Sequence, residues 1–295
     1  MSKAVSKFRG TGVAIITPFK NDGSVDYKQL EKVVQHIIKG KCEYIVVLGT
    51  TGESVTLSKD EKKAVVKCVV KSVNKKVPVV LGHGGNNTQE LLEGLSTLDF
   101  KGIDALLSVS PYYNKPTQEG IYQHYAAIAK KSPLPIILYN VPGRTSSNIT
   151  AETTLRLAHD FKNIIAVKEA SGNIEQMMKI INGKPKDFLV ISGDDALTLP
   201  LIACGGDGVI SVVANAFPKV YSEMTRLSLK GNFAKAQKLH YKLLNIIGLL
   251  FVDGNPAGVK YAMKQLGVCN DKVRLPLVGV TKPTAERLKE LIKKY

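Results

Sequence analysis

The chain has 295 residues, 44% hydrophobic and 22% charged, with a net charge of +16. That length fits about two ordinary domains or one α/β barrel with ample core, and the composition excludes a mostly disordered, collagen-like or disulfide-scaffold protein. The basic excess is scattered as pairs (Lys62-Lys63, Lys75-Lys76, Lys130-Lys131) in stretches that read as helix surface. There is no run of five basic residues and no RNP-type aromatic motif, so nucleic acid is not an expected partner.

The stretch Met1 to Gly10 carries Lys3, Lys7 and Arg9 but no apolar core, so no signal peptide is expected. No apolar run approaches the ~20 residues that span a bilayer. Cys42, Cys68, Cys204 and Cys269 are far apart and read as reduced, mostly buried thiols. The expectation is a cytoplasmic protein without a membrane partner.

Eight short apolar runs then follow in order: Val13–Thr17, Tyr44–Leu48, Val77–Leu81, Ala105–Val109, Pro135–Tyr139, Ile164–Lys168, Phe188–Ser192 and Gly208–Val212. They do not alternate polar with apolar. Near-continuous apolar strands are what a parallel sheet covered on both faces requires. Helical stretches lie between them. Ser58 to Glu61 fits a capping box, and Thr150 is placed to cap a helix starting at Ala151. Eight strands and seven intervening helices predict a (β/α)8 TIM barrel over residues 1–230. A doubly wound open sheet is the alternative. After Val212 the alternation stops, and helices broken at Gly231, Gly254-Asn255-Pro256 and Lys282-Pro283 predict a C-terminal helical region over 231–295.

Chemistry in such a barrel sits where strands end and the following loops begin. Those points carry Gly49-Thr50-Thr51-Gly52-Glu53-Ser54, Tyr112-Tyr113-Asn114, Tyr139 to Thr145, Lys168-Glu169-Ala170 and Gly193-Asp194-Asp195. Lys168 closes an apolar run. In a poorly solvated mouth the neutral amine is favoured over the ammonium, and the neutral amine attacks carbonyls. The plain alternative is a lysine emerging into solvent. Tyr139 ends the preceding strand at the same height, where a phenol serves proton transfer at a nascent imine; the alternative is rim packing. One of Tyr112 and Tyr113 is expected to face the site and the other a subunit interface. Thr50 and Thr51, between glycines, offer hydroxyls and open backbone N–H groups to a carboxylate. Arg144 offers a fork for a second carboxylate, or is a surface loop charge.

Other motifs fail. Gly82-His83-Gly84-Gly85 lacks the third glycine of a dinucleotide fingerprint, and there is no phosphate-binding P-loop. The five histidines form no ligand pair with one another or with cysteine, so no metal site is expected.

Together these five segments resemble the dihydrodipicolinate synthase family of class I pyruvate-dependent lyases, over nearly the whole chain. The resemblance implies that Lys168 forms a Schiff base with pyruvate, with Tyr139 as proton donor and acceptor. Thr50 and Tyr113 would be its relay partners, Tyr113 reaching across a dimer interface. Thr51 and the Ile210 backbone would hold the pyruvate carboxylate, Gly193 would shape the pocket, and Arg144 would receive the carboxylate of L-aspartate 4-semialdehyde. It implies no metal or organic cofactor, and a homotetramer built as a dimer of dimers. The sibling alternative is a sugar-acid aldolase, such as one for N-acetylneuraminate or 2-keto-3-deoxy acids; Arg144 within Asn140 to Thr145 separates the synthase from it. The positions matching a lysine-inhibition cleft are Ser54, Val55, Lys59, Lys62, Asn86, Glu90 and Tyr112. Lysine-sensitive bacterial members carry histidines where Lys59 and Lys62 stand. Two fixed ammonium groups facing a cationic ligand imply weak or absent feedback inhibition, unless they point to solvent.

Overall fold

The computed structural model describes residues 3–295; Met1 and Ser2, which begin the N-terminal stretch read above, lie outside it. The elements run α1 (Lys3–Ser6), β1 (Gly10–Ala14), α2 (Tyr27–Lys39), β2 (Tyr44–Val47), α3 (Lys59–Val73), β3 (Val79–Gly82), α4 (Thr88–Thr97) and β4 (Ala105–Val109). Then follow α5 (Gln118–Lys131), β5 (Ile136–Asn140), α6 (Pro142–Thr145), α7 (Ala151–Asp160), β6 (Ile164–Glu169), α8 (Ile174–Gly183), β7 (Leu189–Ser192), α9 (Thr198–Ala203) and β8 (Gly208–Ser211). The strands close in sequence order into a parallel barrel, β1 pairing with both β2 and β8. Four further helices follow: α10 (Pro218–Leu229), α11 (Phe233–Leu249), α12 (Ala257–Gln265) and α13 (Lys282–Ile292). The fold is the (β/α)8 TIM barrel with a C-terminal helical extension that the apolar runs predict.

The strands are buried on both faces, which is why they read as unbroken apolar runs. Inward side chains such as Val46, Val80, Leu107, Ile137, Leu189 and Ile210 fill the barrel. Below them the Phe8 ring meets the Tyr44 ring edge-on at 5.7 Å. Outward side chains pack against the helix layer. Helix starts are capped as expected: Ser58 and Glu61 form a reciprocal capping box at α3, and Thr150 accepts from Thr153 N at α7.

β1 departs from its expected span, running Gly10–Ala14 instead of Val13–Thr17. Gly12 explains the difference. A Cβ there would lie 2.1 Å from the Tyr44 ring, so a strand beside that ring must lack a side chain, and it loses the apolar signature. The thiols also differ from expectation. Cys42 and Cys269 are buried, Cys68 is half-buried and Cys204 is exposed. Lys75 and Lys76 lie in the turn beyond α3, not on its surface. Among the described residues, no helix is long and apolar enough to cross a membrane.

Candidate active site

The carboxyl ends of the strands open into a cavity of about 410 Å³. Its polar lining is Thr50, Thr51, Tyr139, Arg144, Lys168, Asp194, Asp195 and Asn255, and its glycines include Gly49 and Gly193. The apolar wall comes from both halves of the chain: Leu107 from within β4, Val141 and Val212 from just past the ends of β5 and β8, Leu244, Ile247 and Phe251 from α11 and the turn after it.

Lys168 sits on β6 and Tyr139 on β5, paired with each other in register. Strand side chains alternate between faces, so this pairing puts both on the inner face at one height. The Lys168 Nζ lies 4.1 Å from the Tyr139 ring centroid, and Lys168 is only 5% exposed. Among the described residues, no carboxylate lies within ion-pair distance of that ammonium. The lysine therefore does not emerge into solvent, and its amine faces a shielded cavity. Gly193 makes room for it: a Cβ there would stand 3.1 Å from Lys168 Cε and 2.6 Å from the Ala170 Cβ.

Thr50 and Thr51 occupy a single 3-10 turn, Thr50–Gly52, directly after β2. Three contacts pin that turn. Thr17 Oγ1 donates to Gly52 O at 2.7 Å, and Asn255 Nδ2 donates to Thr51 Oγ1 at 2.9 Å. Glu53, at a left-handed φ of +51, pairs with Lys260 Nζ at 2.5 Å, both side chains fully buried. The second Glu53 oxygen accepts from Arg274 N at 3.0 Å, and Arg274 grips Glu61 with two nitrogens. That guanidinium holds the Glu61 carboxyl down at about 2.

Arg144 stands on α6, exposed at the cavity rim and without an ion-pair partner among the described residues. The loop that carries it is anchored by a buried carboxylate. Glu169 accepts from Asn140 Nδ2 at 2.9 Å, Gln176 Nε2 at 2.8 Å and Ser171 N at 2.8 Å. Asn140 Oδ1 in turn accepts from Ile149 N at 2.9 Å. Neutral donors saturate Glu169, so burial leaves no orphaned acceptor there.

Asp195 Oδ2 accepts from Val212 N and Val213 N, each at 3.0 Å, and fixes the turn after β8. Burial pushes its carboxyl up, opposed by those hydrogen bonds. Ile210 lies lower on β8, buried in the barrel and outside the cavity lining.

The cavity does not gather every expected residue. Tyr113 lies outside it, 88% exposed, at a φ of +74 that a bulky residue rarely adopts. Of the suspected effector positions, Asn86 Nδ2 donates to Tyr112 O at 3.1 Å, joining two of them. Val55, Lys59 and Glu90 are exposed, while Ser54 and Lys62 are half-buried. Sequence reading named Asp195 within its strand-end segment without giving it a role, and missed Asn255 and the α11 wall. Asn255 stood in plain view inside a helix break, and a polar residue in such a break beside apolar helices is the signal that pointed to it.

Residues 7–295 match the model of the Dihydrodipicolinate synthetase family. The chain is 58% identical, over 95% of its length and 96% of the relative's, to 4-hydroxy-tetrahydrodipicolinate synthase of Flavobacterium psychrophilum. Among solved structures it is similar to dihydrodipicolinate synthase of Thermotoga maritima, with TM-score 0.95, 42% identity and 98% of each chain covered. The enzyme from Cyanidioschyzon merolae with lysine bound is also similar, with TM-score 0.93, 40% identity, and 97% and 98% coverage.

Proposed function

The chain belongs to the dihydrodipicolinate synthetase family, and from that membership we propose a residue-by-residue mechanism for its reaction, the condensation of pyruvate with L-aspartate 4-semialdehyde to 4-hydroxy-tetrahydrodipicolinate. The observation that carries it is the shielded, unpaired amine of Lys168 in register with Tyr139 inside a cavity rimmed by Arg144.

Neutral Lys168 adds to the pyruvate ketone, and the carbinolamine loses water to give a protonated imine. Tyr139 supplies and recovers the protons of these steps, with Thr50 as its relay partner. The imine withdraws electrons, so the methyl group gives up a proton and becomes the enamine nucleophile. The enamine carbon attacks the aldehyde, and the resulting alkoxide takes a proton. The substrate amine then attacks the imine carbon, closes the ring and expels the Lys168 amine. Thr51 in the cavity wall holds the pyruvate carboxylate, while the Ile210 backbone contact that the family resemblance implies lies outside that lining; Arg144 at the rim holds the carboxylate of the semialdehyde.

Tyr113 completes the relay from a partner subunit. Its exposure supports this: the Asn114 N to Tyr112 O hydrogen bond at 2.9 Å closes a tight turn that holds Tyr113 at its positive φ and presents the side chain outward. The assembly is a homotetramer, a dimer of dimers, working in the cytoplasm. At the effector positions Lys59 is exposed, and only the half-buried Lys62 supports weak or absent feedback by L-lysine. Half-inhibition below about 0.5 mM would contradict that reading.

Purified enzyme given pyruvate and aspartate semialdehyde is expected to form product at every concentration ratio, and to leave N-acetylneuraminate and 2-keto-3-deoxy acids uncleaved. Efficient sugar-acid cleavage with no turnover of the semialdehyde would overturn the assignment.

A further inference from the structure

Thr51 Oγ1 and Asn255 Nδ2 are 2.9 Å apart, buried, and separated by 204 residues of chain. Asn255 lines the cavity, is 6% exposed, and its Oδ1 is buried with no hydrogen-bond partner. Its amide therefore makes one side-chain hydrogen bond, and that bond goes to Thr51. Thr51 is 3% exposed and also lines the cavity. Among the described residues, nothing accepts from its hydroxyl.

A hydroxyl has one hydrogen to give and two lone pairs to fill. With the Asn255 N–H on one lone pair, the Thr51 O–H is free to point elsewhere, and the open side is the cavity. We propose that Asn255 is a positioning residue for the pyruvate subsite, which fixes the polarity of the Thr51 hydroxyl so that it donates to the substrate carboxylate. The proposal rests on Thr51 holding that carboxylate. It gives the C-terminal helical region a share in substrate selection. Were the partner at 255 an acceptor, Thr51 would donate to it and turn a lone pair toward the ligand, and that face of the subsite would repel an anion.

The test is a double-mutant cycle read by the half-saturation for pyruvate, in turnover and in borohydride trapping, with the KM for aspartate semialdehyde as the control. Thr51→Val removes the donor and is expected to raise pyruvate half-saturation about tenfold. Asn255→Asp puts a carboxylate where the donor stood and is expected to do at least as much, about tenfold or more, while the semialdehyde KM moves less than about twofold. On the Thr51→Val background, Asn255→Asp is expected to add less than about twofold, because there is no hydroxyl left to turn. Asn255→Leu is uncharged and of similar size. It is expected to cost about threefold alone and almost nothing on Thr51→Val, and it carries the test should the aspartate variant not fold. If Asn255→Asp raises half-saturation equally in both backgrounds, simple charge repulsion or distortion is at work and the proposal is wrong, though Thr51 keeps its role. If Thr51→Val alone changes nothing, the reading of Thr51 fails and the proposal falls with it.

Discussion

Two lysines are withdrawn from solvent near the mouth of this barrel, and their surroundings differ in kind. Lys260, in the C-terminal region, is wholly buried, 2.5 Å from Glu53 Oε1, 2.7 Å from Lys272 O and 4.3 Å from the Phe19 ring centroid. Burial lowers its proton affinity and Glu53 pulls the other way. Lys168, at the end of β6, is nearly as buried but faces a cavity and the Tyr139 ring, with no carboxylate at ion-pair distance among the described residues. A paired ammonium is a structural strut; an unpaired one beside open space is free for the chemistry proposed above. The difference lies in what the neighbours supply, not in depth of burial.

Substituting each lysine breaks the comparison if it is wrong. Lys168→Ala should cut turnover by about 10⁴-fold or more and leave the melting temperature nearly unchanged. Lys260→Ala should do the reverse in stability. It strands a buried carboxylate, which costs about 3–5 kcal/mol and lowers the melting temperature by roughly 10 °C. A Lys260→Ala enzyme that melts with the wild type would remove the strut from the account.

Tyr139→Phe keeps the ring against Lys168 and deletes only the hydroxyl. It is expected to slow turnover by about 10²–10⁴-fold, measured as kcat at saturating substrates. Unchanged kcat would leave Tyr139 as packing alone. Arg144→Ala should act on one substrate only. The KM for aspartate semialdehyde should rise about 10- to 100-fold, the range of a lost charge-assisted pair, while pyruvate trapping stays intact. Failure to trap pyruvate would move Arg144 to the other subsite.

The smallest effect is a control on α5, outside the cavity lining. His124 is buried, and desolvation alone pushes its pKa down to about 4. The folded state refuses a proton that the unfolded state accepts, so stability present above pH 6.5 is lost as pH falls toward 4. His124→Gln should flatten stability across that window, seen as a weaker pH dependence of the urea midpoint, and leave the pH profile of turnover in place.

The barrel and the Lys168–Tyr139 pair were legible because both rest on local regularities. Apolar runs mark strands, and equivalent positions at consecutive strand ends mark neighbours. β1 was displaced in the reading because Gly10-Thr11-Gly12 lacks the apolar mark that the Tyr44 ring forbids it. What stayed hidden joins distant parts of the chain. The Thr51–Asn255 and Glu53–Lys260 contacts span 204 and 207 residues, and no periodicity encodes them. Lys260 carried no mark that set it apart from other lysines, and Asn255 read only as part of a helix break.

The claim that Lys168 is the reagent has a direct test. Wild-type enzyme is incubated with pyruvate, reduced with borohydride, digested and mapped by mass spectrometry. One reduced adduct per chain, on Lys168, absent without pyruvate and absent from Lys168→Ala, is the expected result. An adduct on Lys260 or any other lysine, or none at all, would contradict the account.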